Sequence, residues 1–270
     1  MTALAGFCFL SAPHLAAAQD EVHLSYEVSL AGLTIATAAL DLIIADSSYV
    51  ARMNYRMSGA ARLMSSGTGE AVANGAYKAG RFIPAHFDFD HRAGRRSQKV
   101  AMAIVDGTIR TLALDPPIDP NSGRTSFDLD KLGSIIDPLS AMLISAVAPD
   151  GRPEQRVCDR TLPVFDGIRR YDLALSLQGG DFSNQGILPG PRTTCRLRVT
   201  QLPAEATKSE PATPPAEPAA RLGSVDVTFG LATAAKVHVP VAIAAVLGRA
   251  TLAVRLTRFS TDEAHPGAAR

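Results

Sequence analysis

The sequence predicts a mainly β protein, a curved antiparallel sheet wrapped around one buried helix. Three observations carry that prediction. Apolar and polar residues alternate over many short segments, the period of half-buried strands. Asp-Gly pairs and single glycines separate those segments at hairpin spacing. One stretch alone carries helical spacing.

A first strand places Val22, Leu24, Tyr26, Val28 and Leu30 on one face, and after a turn at Gly32 a second aligns Ala38, Leu40, Leu42 and Ile44. Tyr49, Ala51, Met53, Tyr55 and Met57 mark a third. Further strands are expected over 82–89, 99–105, 109–114, 169–177, 194–200, 224–229, 236–244 and 250–259, with Asp106-Gly107 and Asp166-Gly167 as hairpin turns. Both central positions of such a turn favour positive φ, which Asp and Gly tolerate.

The helical stretch is 135–147. Ile135, Ile136, Leu139, Met142, Leu143, Ala146 and Val147 recur at helical spacing, and Ala141, Ile144 and Ala148 cover the other side. A helix apolar all round is a buried one. Asp137 supplies its N-cap and Pro138 suits its first turn.

Residues 1–18 have no charged side chain, an apolar run from Leu4 through Leu10, and Ala16, Ala17 and Ala18 ahead of Gln19 and Asp20. That is the pattern of a secretory signal cleaved after Ala18. The rest reads as one β-rich domain over 19–260, interrupted by a Pro/Ala-rich loop insertion at 203–220 that contains PATPPAEP and has little to bury. A disordered tail is expected at 261–270. The apolar run of the leader is too short to cross a bilayer as a helix and no other segment approaches a spanning length, so no transmembrane span is expected in the mature chain.

Once Cys8 leaves with the leader, Cys158 and Cys195 are the remaining cysteines. In the oxidising compartment that a signal peptide implies, an even pair on β segments forms a disulfide. Closing a loop of that length stabilises a fold by roughly 3 to 4 kcal/mol.

Composition excludes more than it suggests. A net charge of +1 carries no electrostatic footprint for nucleic acid. There is no G-x-S-x-G elbow, and Ser65, Ser66, Gly67, Thr68 and Gly69 lack the Lys-Ser or Lys-Thr and the helix of a phosphate loop. His86, Asp88 and Asp90 share one strand face beside His91, but Phe87 and Phe89 opposite make that face the solvent side rather than a metal set. Around Gly94, His91, Arg92, Arg95, Arg96 and Lys99 form a basic hairpin tip, either a solvated turn or a contact for anionic headgroups or an acidic partner. Asp159, Arg160, Asp166, Arg169, Arg170 and Asp172 alternate in sign, which reads as a structural ion network before it reads as an acid and base pair. No catalytic, cofactor-binding or metal-binding residue is predicted.

Taken in order, several elements carry a resemblance: the strand from Val22 to Leu30, a glycine and a second strand, Asp137-Pro138-Leu139-Ser140, FDGIRRYDL with Phe165, Asp166, Gly167, Arg169 and Tyr171, then Cys195, Pro240-Val241 and Leu247-Gly248. This order resembles the exported bacterial proteins grouped as domain of unknown function 3108. Two departures are local: Leu188-Pro189-Gly190 stands where the family often has Tyr and Gly, and the Pro-rich insertion replaces a Gly-Tyr expected after Cys195. The resemblance implies a spiral or partly open barrel in the periplasm, similar in outline to an envelope-integrity barrel family and to lipoprotein carriers, with no established activity. The function expected is non-enzymatic support of the cell envelope through an unknown protein, glycan or lipid partner. Carriage of an apolar ligand is the alternative, and a hydrolase a distant third.

Overall fold

The alternation of the first half folds as an antiparallel meander of seven strands: β1 (Asp20–Leu30), β2 (Leu33–Ile44), β3 (Ser48–Met57), β4 (Thr68–Lys78), β5 (Arg81–Ala93), β6 (Arg96–Val105) and β7 (Thr108–Asp115). After a long crossover that holds the short β8 (Ile144–Ser145), a second meander follows: β9 (Arg160–Phe165), β10 (Arg170–Ser183), β11 (Gly190–Leu202), β12 (Leu222–Ala232), β13 (Val237–Leu247) and β14 (Ala250–Glu263). The computed structural model describes residues 20–59, 62, 66–118, 127–183, 186–202 and 222–263. The expected leader at 1–18 and loop at 203–220 lie outside them.

The two meanders join where β1 pairs with β14, from Leu30 opposite Leu252 to Asp20 opposite Glu263. That seam lies within the sheet, while β7 and β9 are its outer strands and, among the described residues, no ladder closes them. The chain is therefore mainly β, as expected, and forms one 14-stranded, open, antiparallel sheet. Because β1 supplies a ladder for them, strand β14 runs through Thr261, Asp262 and Glu263, which the expected tail included; 264–270 lie outside the described residues.

Alternating side chains point to one inner face. Val22, Leu24, Leu40, Leu42, Tyr49, Ala51, Ala73 and Phe87 are buried there with Val237 and Val239. A second cluster gathers Leu175, Cys195, Val225, Val227 and Ala245 from β10 to β13. Burying each large aliphatic side chain contributes about 1.5 to 3 kcal/mol. The expected turn at Asp106-Gly107 has φ 51° and 75°, the primed geometry that matches strand twist.

The buried helix expected over 135–147 is not there. Among the described residues there is no α-helix, and this segment makes one 3-10 turn, Ser140–Met142, before Leu143 turns extended at φ −100°, ψ 123°. Asp137 does not cap a helix: the residue flanking the 3-10 turn is Leu139, and Asp137 Oδ1 instead accepts from the Leu139 and Ser140 amides at 2.9 and 2.8 Å, closing the bend that leads into the turn. What ends the winding after one turn is the edge of β13, where Ser145 pairs with Val237 and Ile144 with His238. Ladder bonds thus replace helical ones while Leu139, Leu143 and Ile144 stay buried, and helical spacing alone cannot separate the two outcomes.

Because neighbours are antiparallel, the β2–β3, β4–β5, β6–β7 and β12–β13 turns share one end of the sheet. The crossover runs across that end. Ile135 N–H donates to Gly107 O at 2.8 Å, Ile136 N–H to Pro163 O at 2.8 Å, and Ala146 N–H to Lys236 O at 2.7 Å. Phe165 N–H returns to Ile136 O at 3.1 Å, which covers part of the edge of β9. At the β4–β5 turn, a Cβ on Gly80 would fall 2.0 Å from Val147 O, so the glycine admits the crossover backbone. The crossover covers this end; among the described residues the opposite end carries the β1–β2, β5–β6, β9–β10 and β13–β14 turns and the flanks of the β3–β4 connection.

Candidate functional site

Polar side chains gather at both ends of the sheet. At the first, the 3-10 turn of the crossover stands on Asp137, whose Oδ1 closes the bend leading into it and whose Oδ2 is buried without a hydrogen-bond partner. Burial pushes the Asp137 carboxyl well above the usual carboxylate range, with the Ser140 hydroxyl and the turn amides pulling the other way. Ser140 Oγ lies 2.6 Å from Tyr49 Oη, and Ser145 Oγ lies 2.9 Å from Tyr77 Oη, so β3 and β4 each hold the crossover by a hydroxyl pair. Burial raises the Tyr49 hydroxyl first, and the Asp137 carboxyl beside it adds to the effect.

Through Ile136 the crossover also reaches the β9–β10 turn, where most of the other residues singled out in the sequence lie. Ile136, beside Asp137, bonds through its backbone to Phe165, whose ring is fully buried and packs edge-on against Phe127 at 5.5 Å. Pro138 is half-buried between Asp137 and the 3-10 turn. Asp166 Oδ1 then accepts from the Ile168 and Arg169 amides at 2.8 and 2.6 Å, closing the β9–β10 turn on itself. Gly167, at φ 94°, leaves room for Val100 of β6, whose Cγ1 would lie 2.3 Å from an added Cβ. Tyr171 is half-buried, its hydroxyl raised by burial and further by Asp166. Arg170, one of the alternating charges read as a structural ion network, turns back to Asp172 Oδ1 at 2.7 Å and to Tyr171 O at 2.8 Å. Cys158 and Cys195 are joined, with Cα atoms 5.6 Å apart, and tie the end of the crossover to β11.

Exposure of 0% for Asp137 and Ser140 and 1% for Tyr49 leaves a substrate no access to this cluster. Its chemistry is cohesive: it fixes the shape of the crossover. Sequence reading found Asp137 through its cap signature but missed Tyr49 and Tyr77, whose hydroxyl ends break the apolar face of their strands and were the available signal.

The second place is the opposite end. A cleft of about 300 Å³ is lined by Arg92, Arg95, Arg96 and Lys99 around the β5–β6 tip. Another of about 370 Å³ is lined by Arg56, Ser58, Arg62 and Thr68 at the β3–β4 connection. Beside the first, Asp90 meets Arg92 at 3.1 Å and Lys99 at 3.5 Å, and the Arg92 hydrogen bond holds its carboxyl below the usual range. Asp90 therefore offsets two of the cations and leaves Arg95 and Arg96 to face solvent. His86 and Asp88 are exposed on the outer face of β5, as the alternation with Phe87 and Phe89 required.

Comparison with known proteins adds a family and a fold. The sequence profile of the family described as "Protein of unknown function (DUF3108)" matches residues 25–210. No functionally curated protein matches the chain. A solved structure, the beta-barrel-like protein of domain of unknown function DUF1849 from Brucella abortus, superposes with a TM-score of 0.52 at 10% identity, over 90% of this chain and 98% of that one. At that identity the likeness concerns the fold alone.

Proposed function

The chain belongs to the DUF3108 family, and from that premise we propose a non-enzymatic protein of the cell envelope that binds an anionic partner at the end of its sheet opposite the crossover. The observation that carries the reading is the division between the two ends. One is covered by the crossover, with its polar groups sealed from solvent; the other bears the two arginine-lined clefts. Guanidinium groups suit planar or tetrahedral anions, because each presents its donors as a fixed fork. Phosphate or carboxylate groups of an envelope lipid or glycan are the chemistry that matches. Export after cleavage at Ala18 into a periplasm that keeps Cys158–Cys195 oxidised belongs to the same proposal.

The test is co-sedimentation of the full mature chain with vesicles containing anionic or only zwitterionic lipid, alongside an anionic glycan on beads. Binding that weakens at least tenfold in Arg95→Glu/Arg96→Glu, and falls with salt, supports the proposal. Salt-independent binding, or binding undiminished in that variant, removes it.

A second reading, carriage of an apolar ligand, has one observation in its favour. Val28, Leu30, Leu252 and Val254 are half-buried on the inner face towards the end opposite the crossover, and Leu33 beside them is 66% exposed. Organic extraction of natively purified protein followed by lipid mass spectrometry, beside Met142→Ala, separates the two. Stoichiometric lipid on the wild type favours the carrier.

A further inference from the structure

The seam between β1 and β14 carries, on its outer face, a histidine surrounded by three carboxylates drawn from three strands. Glu21 and His23 alternate along β1, on the side opposite the buried Val22 and Leu24. Asp41 faces His23 across the β1–β2 ladder, and Asp262 faces Glu21 across the β1–β14 ladder. The two ring nitrogens are divided between them. His23 Nδ1 lies 2.7 Å from Asp41 Oδ1, a hydrogen bond. Nε2 lies 3.6 Å from Glu21 Oε1 and 3.5 Å from Asp262 Oδ2.

Those last two distances are long for hydrogen bonds. They are right for something else. Ligand bonds of about 2.0 to 2.2 Å to a tetrahedral zinc ion put neighbouring ligand atoms about 3.4 Å apart. All three donor atoms lie within 4.8 Å of one another, and among the described residues no other group of three does so. With Asp41 accepting the Nδ1 proton, the Nε2 lone pair is presented outward, the arrangement by which a carboxylate orients a metal-bound imidazole.

We propose that Glu21, His23 and Asp262 form a surface site for a borderline divalent cation of the zinc class, with Asp41 as the positioning residue. The donor set of one imidazole and two carboxylates, without thiolate, selects that class over softer ions. Asp262 is 77% exposed, so its side chain is free to close the widest gap, and water takes the remaining position. Because the donors come from both meanders, an ion bound there cross-links the seam. Binding then favours the folded chain by mass action.

The experiment uses the full mature chain, stripped with chelator and re-equilibrated with zinc chloride. Bound zinc is counted by elemental analysis after gel filtration, and unfolding is followed with and without the ion. About one zinc per chain and a melting temperature raised by several degrees are expected in the wild type. His23→Ala and Asp262→Asn lose both, Asp41→Asn weakens binding about tenfold or more, and His86→Ala on the outer face of β5 changes neither. Asp262 is exposed, so its variant folds even if His23→Ala does not. Absence of zinc on the wild type at micromolar free ion, or uptake undiminished in Asp262→Asn, overturns the site and leaves an imidazolium paired with its carboxylates.

Discussion

Asp137 keeps a carboxyl where water does not reach it, and the two oxygens have unequal lives. Oδ1 takes both turn amides, while Oδ2 is buried and unpaired. A raised pKa means that the folded state holds the proton more tightly than the unfolded chain does. The contribution of this group is then fully present below about pH 4, the unfolded value, falls as pH rises towards the folded pKa, and is level above it. Asp137→Asn keeps the acceptor and imitates the protonated acid, so its stability should stay within about 1 kcal/mol of wild type at pH 7 and lose that acid-side slope. Asp137→Ala removes the acceptor of both amides and should cost about 1 to 2 kcal/mol. Urea midpoints from pH 4 to 8 read both; an Asn variant with the wild-type pH profile would contradict the raised pKa.

Among the elements, β4 has the least strand-like sequence, and its composition is what its neighbours require. Gly69 lies under the Tyr55 ring, whose Cε1 would be 2.2 Å from an added Cβ, and the Tyr55 hydroxyl reaches His91 Nδ1 across it at 2.6 Å. At Gly75 a Cβ would fall 2.0 Å from Ile83 O in the backbone of β5. Gly75→Ala should therefore cost about 1 to 3 kcal/mol. The matched control is Gly179→Ala on β10, where nothing lies within 4 Å; there the stiffer unfolded chain should make the change neutral or stabilising by up to about 1 kcal/mol. Equal effects on the urea midpoint would show that the close approach at Gly75 is relieved elsewhere.

The same contrast explains what could be read in advance. Strands β1, β2 and β3 were legible because their large side chains alternate between a buried and a wet face. Strand β4 was not, since glycine and alanine carry almost no periodic signal, and β9 hid behind Pro163, which an outer strand tolerates. In the crossover, burial was legible from Ile135 to Ile144 but conformation was not, because the edge of β13 decides it from far away in sequence. The bend at Asp137 and the turn at Asp166 were visible as local motifs. Their meeting through Ile136 and Phe165 was not, and neither was the convergence of Glu21, His23 and Asp262, which depends on register between the sheet's first and last strands.

At the scale of the molecule, long connections are held by few ties. The disulfide closes a loop with a sequence separation of 37, enough to stabilise the fold by about 4 kcal/mol through the unfolded state. Cys158→Ser/Cys195→Ser should lower stability by that order with β content retained, as circular dichroism and urea unfolding would show; a loss near zero would mean that the buried contacts of β11 suffice without it. Replacing 203–220 with a short Gly-Ser linker should leave the melting temperature within a few degrees, since surface loops add closure entropy only slowly with length. A collapse of the fold would show that the segment packs. The seam between β1 and β14 also sets an order of events. Each meander is built of hairpins that form from neighbouring sequence, but β1 receives its second partner only when residues 252–263 are present. Such distant pairing is intrinsically slow. A chain that emerges from its amino end must therefore carry β1 with one edge bare through most of its synthesis, a template for any other extended strand. The interval before the last strand arrives is when this protein is most open to wrong partners, including unfinished copies of itself.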